Sequence, residues 1–427
     1  YEDATGIDAS ASTNELLSSG VYSGGATSNP TGATSTDTSV AGYRIEVLSA
    51  ASGSLVIPSS GNVDILVVGG GGSGGCHYGG GGGAGGLIYK SGHALTAQTY
   101  AWVTGAGGAG VASEAVGNNG VDSTWTDASA SVEFTAKGGG YGGKTSAGGA
   151  GGSAGGGGYD SGSGAAGGSE SQTGQSGDSG TYGFGNDGGL GVGASNYNPG
   201  GGGGAGSVGA AGDASTSGNG GTGKDYSAIF GTAVGDSGWF ASGGGGGYST
   251  EGGSQAGSAS SGGGTAGGTP HGGNSSAATA NTGGGSGGGA SNTGQSGNGG
   301  SGIILVRYAD GTFTTAGSDL TLQSTDTTAM TEPDYADMVM LMENAEGTAT
   351  INTDIKGWIS KDSGSTFTQG TLVDEGTWGT NKKILAFHDL DISAQSGTSM
   401  CYKITTHNQS AGSKETKIHA TSIGWKA

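Results

Sequence analysis

The side chains able to do chemistry are few and scattered. Six histidines occur, His77, His93, His271, His388, His407 and His419, none in the H-x-H or H-E-x-x-H spacing that would hold a metal. None stands in a recognisable nucleophile context with Ser or Cys. Two cysteines, Cys76 and Cys401, fall in segments of different composition and read as isolated thiols, not as a disulfide framework or a zinc site. Gly143-Lys144 and Gly223-Lys224 lack the pattern of a phosphate-binding loop and the helix that would follow it. Asp187 and Asp213 could contribute to a Ca²⁺ site, but no spaced acidic loop of EF-hand type surrounds them. The reading is a non-enzyme without cofactor or metal.

Aromatic residues are the better candidates. Tyr159, Tyr182, Phe184, Tyr197, Tyr226, Trp239, Phe240 and Tyr248 stand in polar spacers between glycine blocks, with Phe230 among them. Exposed rings stack on sugar faces and anchor protein contacts at low entropic cost. The competing role is to cap the ends of a scaffold and exclude water. The eight named first are the candidate receptor-binding residues.

What must position them is mostly glycine, 106 of 427 residues, in blocks such as 69–72, 79–83, 155–158, 200–204, 243–247 and 287–289. So little apolar side chain remains that main-chain hydrogen bonding has to supply the order. Collagen is excluded, because there is no strict Gly-X-Y period and only 5 prolines. A random coil is the competing reading, since ordering each residue costs about 1–2 kcal/mol. The favoured reading is a bundle of polyglycine-II helices, with three residues per turn and every N–H and C=O pointing outward. Without Cβ atoms, neighbours can approach closely enough to bond directly, adding Cα–H···O contacts.

Strand signals flank this region. Runs at 43–48, 54–57, 63–68, 87–90 and 99–104 precede or enter it, and 301–308 closes it. One strand launches the glycine segment and another receives it, as expected if both pair in a small sheet. Ordinary composition returns after 308, with strands expected at 337–343, 349–359, 383–387, 399–406 and 417–425 at sandwich-like spacing. The fold expected is all-β plus a polyglycine-II bundle, with essentially no α-helix. Three parts follow: residues 1–41, a connector or attachment segment; 42–308, the glycine-rich domain; and 309–427, a β-sandwich.

A formal charge of −20 argues against nucleic acid as a partner, and no apolar run reaches the ~18 residues of a membrane span. The first residues show no secretory leader pattern. An acidic, Ser/Thr/Asn-rich surface suits an extracellular or virion protein.

Tyr43-Arg-Ile-Glu-Val47, Val67-Val-Gly-Gly-Gly-Gly72, Gly82-Gly-Ala-Gly-Gly-Leu-Ile88, Val103-Thr-Gly-Ala-Gly-Gly-Ala-Gly110 and Gly299-Gly-Ser-Gly-Ile-Ile-Leu-Val-Arg-Tyr308 together resemble the glycine-rich domain of bacteriophage tail-fibre and receptor-binding adhesins. Asp391 to Met400, Tyr402 to Asn408 and Ile418 to Ala420 resemble a β-sandwich at the ends of phage fibre proteins. Ser360-Lys-Asp-Ser-Gly-Ser-Thr-Phe367 is similar to the Asp-box hairpin of sialidases, with Phe in place of Trp, and reads here as a structural turn. The adhesin resemblance implies a virion appendage whose loops contact a host cell-surface protein or glycan, with other tail proteins as partners and either a homotrimer or a monomer on a trimeric shaft. No loop residue matches a family motif, so no contact residue is carried over. Two alternatives remain open: a purely structural filament or virion spacer, which predicts self-association, and an ice-binding protein, which needs a flat Ala/Thr face.

Overall fold

The computed structural model describes all residues except 1–4, 19, 113, 160–163, 173–182, 194–196, 248–254, 264–272 and 291–293. The chain divides into two units, one formed by Tyr1–Asn29 with Phe313–Ala427 and the other by Pro30–Thr312.

The Pro30–Thr312 unit starts from a six-stranded antiparallel sheet. Its order is Gly183–Phe184, Leu87–Leu95, Gly61–Val68, Ile303–Ala309, Tyr43–Leu48, Ser35–Asp37. The strand that launches the glycine region and the strand that receives it lie side by side, Val68 opposite Ile303. Val, Ile and Leu dominate here because both faces are covered, and Leu66, Val67, Val68, Ile304, Leu305 and Val306 are all fully buried. Lateral to it, Ser52–Ile57, Gln98–Val103, Ser123–Thr126 and Val132–Ala136 form a second sheet. Tyr100 and Trp125 stack there at 4.9 Å between ring centroids. The one helix among the described residues is a single turn, Ser227–Phe230.

From this platform the glycine segments run as extended helices whose bonding repeats every third residue. In 69–76, Gly69, Gly72 and Gly75 donate to the carbonyls of Gly86, Gly83 and Gly80, while Gly70, Ser73 and Cys76 donate to Val121, Asn118 and Ala115. In 79–86, Gly79, Gly82 and Gly85 donate to Gly289, Ser286 and Gly283. Gly80, Gly83 and Gly86 donate to Gly143, Gly140 and Lys137, and Gly81 and Ala84 to Gly200 and Gly203. Each helix thus offers one row of donors to each of three neighbours, the signature of a three-fold helix. The first two of these neighbours run antiparallel to 79–86 and the third runs parallel, so lattice direction is mixed.

Close approach makes glycine obligatory. A Cβ built on Gly81 would fall under 3.0 Å from the Gly244 carbonyl, and one on Gly202 under 3.0 Å from the Gly82 carbonyl. The polar spacers also have a function in the lattice: where a neighbouring carbonyl is missing, a side-chain oxygen replaces it. Asn298 Oδ1 accepts from Gly110 N at 2.7 Å, Asn119 Oδ1 from Tyr141 N at 2.9 Å, and Asn219 Oδ1 from Ser258 N at 2.8 Å. Ser286 Oγ accepts from Gly74 N at 3.0 Å and Ser123 Oγ from Gly105 N at 2.8 Å.

The other unit is built from two sheets sharing one core. The first runs Glu15–Ser18, Val21–Thr27, Glu415–Lys426, Tyr335–Glu346, Lys382–Asp391, Val373–Gly379, and the second Thr321–Gln323, Ser399–Thr406, Ile355–Ser360, Thr368–Gly370. Met338, Met340, Met342, Leu385 and Phe387 of the first meet Leu322, Ile355, Ile359 and Ile404 of the second. Residues 1–41 are therefore not a separate connector. Tyr22 lies opposite Ile418 in the first sheet and is 1% exposed, whereas Ser35–Asp37 forms the edge of the platform sheet in the Pro30–Thr312 unit. The sequence hides this because Val21–Thr27 carries only two large side chains and is held through long-range backbone pairing.

Asp354 ties this unit's loops together. Its buried carboxylate accepts from Lys414 Nζ at 2.7 Å, Asn408 Nδ2 at 2.8 Å and Thr350 N at 2.9 Å. These donors, Lys414 first, hold its carboxyl well below the ordinary range.

Two outcomes follow from these contacts. Gly81→Ala will destabilise the Pro30–Thr312 unit by about 3 kcal/mol or more, whereas Gly92→Ala, at a bulge within the strand Leu87–Leu95 with φ +62° and open space around its Cβ direction, will cost only about 1 kcal/mol; equal losses in thermal denaturation would overturn the lattice description. Asp354→Ala will cost the other unit about 3 kcal/mol at pH 7. Because the folded-state pKa is depressed, wild-type stability from this group is present above about pH 4 and fades as pH falls below it. Denaturant titrations of wild type and variant should converge in acid.

Candidate functional site

The bonding directions give the bundle two ends. Helix 69–75 leaves the platform at Val68 and helix 79–86 returns to it at Leu87, so the Cys76-His77-Tyr78 turn lies at the end remote from the sheet. Seven residues at about 3.1 Å each separate the ends by about 22 Å. Helix 137–143 runs parallel to 69–75, with Gly139 donating to Gly70 and Gly142 to Ser73, which places Lys144 at the remote end too. Helix 153–158 runs the same way, with Gly140 donating to Ser153 and Gly143 to Gly156, and Gly200 donates back to Gly157. Tyr159 and Tyr197 therefore also sit at the remote end.

The candidate aromatics sort by end. Tyr226 and Phe240 are core residues of the platform end, 8% and 0% exposed, packed with Phe230, Val68, Leu87 and Leu305. Expected as receptor contacts, they are instead structural residues, because burial leaves them almost no surface for a ligand. Chain direction at each turn, which the sequence does not display, decides this. Burial holds the Tyr226 phenol well above its ordinary pKa, with Tyr89 adding to the shift. Phe184 pairs with Leu87 at the sheet edge beneath Lys224, whose Nζ lies 4.0 Å from the ring centroid. Trp239, half-buried, pairs with Asp225 at the same end. Tyr182 and Tyr248 lie outside the described residues.

At the remote end the rings of Tyr78, Tyr159 and Tyr197 meet. Tyr78 and Tyr197 stack at 5.4 Å and 27°, and Tyr159 stands edge-on to both, at 5.3 Å and 74° and at 5.0 Å and 70°. His77 adds a fourth ring, 4.9 Å from Tyr78. Tyr78 is buried, while Tyr159, Tyr197 and His77 keep part of their surface in solvent. Beside them Lys144 Nζ bonds Glu114 Oε2 at 2.9 Å, and His77 Nδ1 lies 3.8 Å from Glu114 Oε1.

Backbone conformation marks the same place. Among the described non-glycine residues with positive φ, most are Asn, Ser, Ala or Asp; the large rings among them are His77 at 51°, Tyr78 at 55° and Tyr197 at 48°, all in this cluster. Each departs from the conformation a bulky L-residue prefers, at a cost of order 1–2 kcal/mol. Their neighbours impose it. Cys76 N donates to Ala115 O at 3.0 Å and its buried thiol to Val111 O at 2.7 Å. Burial raises the Cys76 pKa, so its thiol fixes the turn and is not a thiolate. Asn198, fully buried, receives Val192 N on its carbonyl and donates its side-chain amide to Asp213 O at 2.7 Å. Asp213 in turn accepts from the N–H groups of Ser215 and Thr216, both at 2.7 Å, which with their hydroxyls lower its pKa to about 2.

The sequence reading missed Tyr78 and His77. The available signal is the Cys-His-Tyr triplet that interrupts the glycine blocks 69–75 and 79–83. The structure brings Tyr159 and Tyr197, both candidates from the sequence, together with these two. Asp187 and Asp213 bond backbone N–H groups, and no cluster of three or more metal-ligating side chains occurs among the described residues. The 360–367 hairpin has Asp-box geometry: Asp362 accepts from Thr366 N at 2.8 Å and from the Ser360 hydroxyl at 2.6 Å. Its Lys361 is buried and donates to Pro333 O at 2.8 Å. Among the described residues no helix is long and apolar enough to cross a membrane.

A search of curated protein sequences finds no match. A family model described as a glycine-rich domain matches residues 46–309, more than half of the chain and nearly all of the platform and its lattice. By that match the chain belongs to this glycine-rich domain family.

Proposed function

We infer that this chain is an adhesin of a virion appendage, such as a bacteriophage tail fibre, that recognises a bacterial cell-surface receptor with the remote end of its glycine lattice. One observation carries the reading: the bulky residues held in left-handed backbone converge on a single, partly exposed aromatic cluster at that end. Strained backbone gathers where a surface must present side chains in a fixed arrangement. The lattice suits such a role because its interior is mostly backbone with a few small buried side chains, so recognition falls to the turns. Several copies per particle would turn modest affinity into firm attachment.

The test is adsorption of the labelled full chain to intact cells across a panel of bacterial strains. At least one strain will bind it. Tyr159→Ala or Tyr197→Ala will reduce that binding about ten-fold, whereas Trp239→Ala at the platform end will leave it within about two-fold. Failure to adsorb to any strain, combined with end-to-end association of the purified chain under the electron microscope, would favour a structural filament and overturn the reading.

A further inference from the structure

The remote cluster has the composition of a sugar-binding surface, an inference that rests on the attachment reading above. A pyranose presents one apolar face of C–H groups, about the size of a phenol ring, and a rim of hydroxyls that both donate and accept. Tyr78 is the buried ring beneath, Tyr197 stacks over it at 27°, and Tyr159 stands edge-on to both, 5.0 Å from Tyr197 and at 70° to it. Two ring surfaces of different orientation are thus available to one small ligand.

The polar groups beside the rings complete the set. Glu114 is well exposed and supplies only acceptors. The ammonium of Lys144, bonded to it, keeps its carboxyl below the ordinary range. Lys144 supplies donors and is itself largely covered, with 18% of its side chain exposed. Both polarities lie on the His77 side of the cluster, with Glu114 Oε1 3.8 Å from His77 Nδ1 and the His77 ring 6.3 Å from that of Tyr159, and together they can serve hydroxyls that donate and accept. The carboxylate, on a chain of net charge −20, disfavours an anionic sugar. A cationic ligand is disfavoured by Lys144 and by rings that pack on one another instead of enclosing an empty cage.

We propose that Tyr159 and Tyr197, over the Tyr78 floor and beside the Glu114–Lys144 pair, form a subsite for a neutral hexopyranose of a bacterial surface polysaccharide. The probes are the methyl glycosides of glucose, galactose, mannose and N-acetylglucosamine at millimolar concentration, with saturation-transfer NMR on the full chain. At least one will receive saturation on its ring C–H protons. Tyr159→Ala and Tyr197→Ala will each weaken it about ten-fold, Glu114→Gln by a similar factor, and Trp378→Ala in the other unit not at all. Thermal denaturation identifies any variant that has unfolded, and Tyr159→Leu, which keeps bulk and loses the ring, replaces it.

Absence of transfer to all four glycosides, or wild-type transfer in folded Tyr159 and Tyr197 variants, overturns the proposal. Cell adsorption separates this from failure of the attachment reading. Adsorption that survives periodate oxidation of the cells but is lost after protease treatment makes the ligand a protein, overturning the sugar subsite while attachment stands. Loss after periodate alone supports the subsite.

Discussion

The Pro30–Thr312 unit depends on one interaction, the hydrogen bond between main chains of neighbouring three-fold helices. Each such bond contributes about 0.5–1.5 kcal/mol net, while ordering a residue costs about 1–2 kcal/mol and more for glycine. The lattice is therefore stable only if almost every donor finds an acceptor. That condition explains the exclusion of Cβ at Gly81 and Gly202. It equally explains the Ser and Asn oxygens that accept from the N–H groups of Gly74, Gly105, Gly110, Tyr141 and Ser258. What looks like low-complexity filler is a set of substitute acceptors.

The platform and the bundle divide the work. Val, Ile and Leu strands fix where the first and last helices begin, and the helices then carry that alignment outward for about 22 Å. At the far end the turns are too short to relax. Cys76, Asn198 and Asp213 bond them to fixed backbone partners, and the strained rings of His77, Tyr78 and Tyr197 are the result. The local cost at the tip is offset by the regularity of the lattice beneath it.

Much of this was legible in the sequence. The platform strands are β-branched runs next to glycine, and the absence of any other core left backbone bonding as the source of order. The Asp-box hairpin was evident from its residues. Other features were not. Ser123–Thr126 and Val132–Ala136 each have one large ring, Trp125 and Phe134, among polar neighbours, and their alternation is too short to stand out. Val21–Thr27 is ordered by a strand about 390 residues away in the chain. The sorting of aromatics was hidden for a different reason. Whether a spacer lies at the platform or the remote end depends on how many times the chain has reversed before it, so Tyr197 and Tyr226, each flanked by polar residues, meet opposite fates.

The order of strands in the platform sheet bears on how the molecule is made. Ile303–Ala309 sits between Gly61–Val68 and Tyr43–Leu48, so the two early strands have no shared partner until some 240 further residues have been synthesised. Loop closure of that length is slow, and contacts so distant in sequence delay folding. The chain added during the wait is mainly glycine and small polar residues, which water solvates well and which add little to the apolar surface of the waiting strands. The composition that orders the finished lattice thus also limits what its unfinished precursor adds to the apolar surface left waiting on the ribosome.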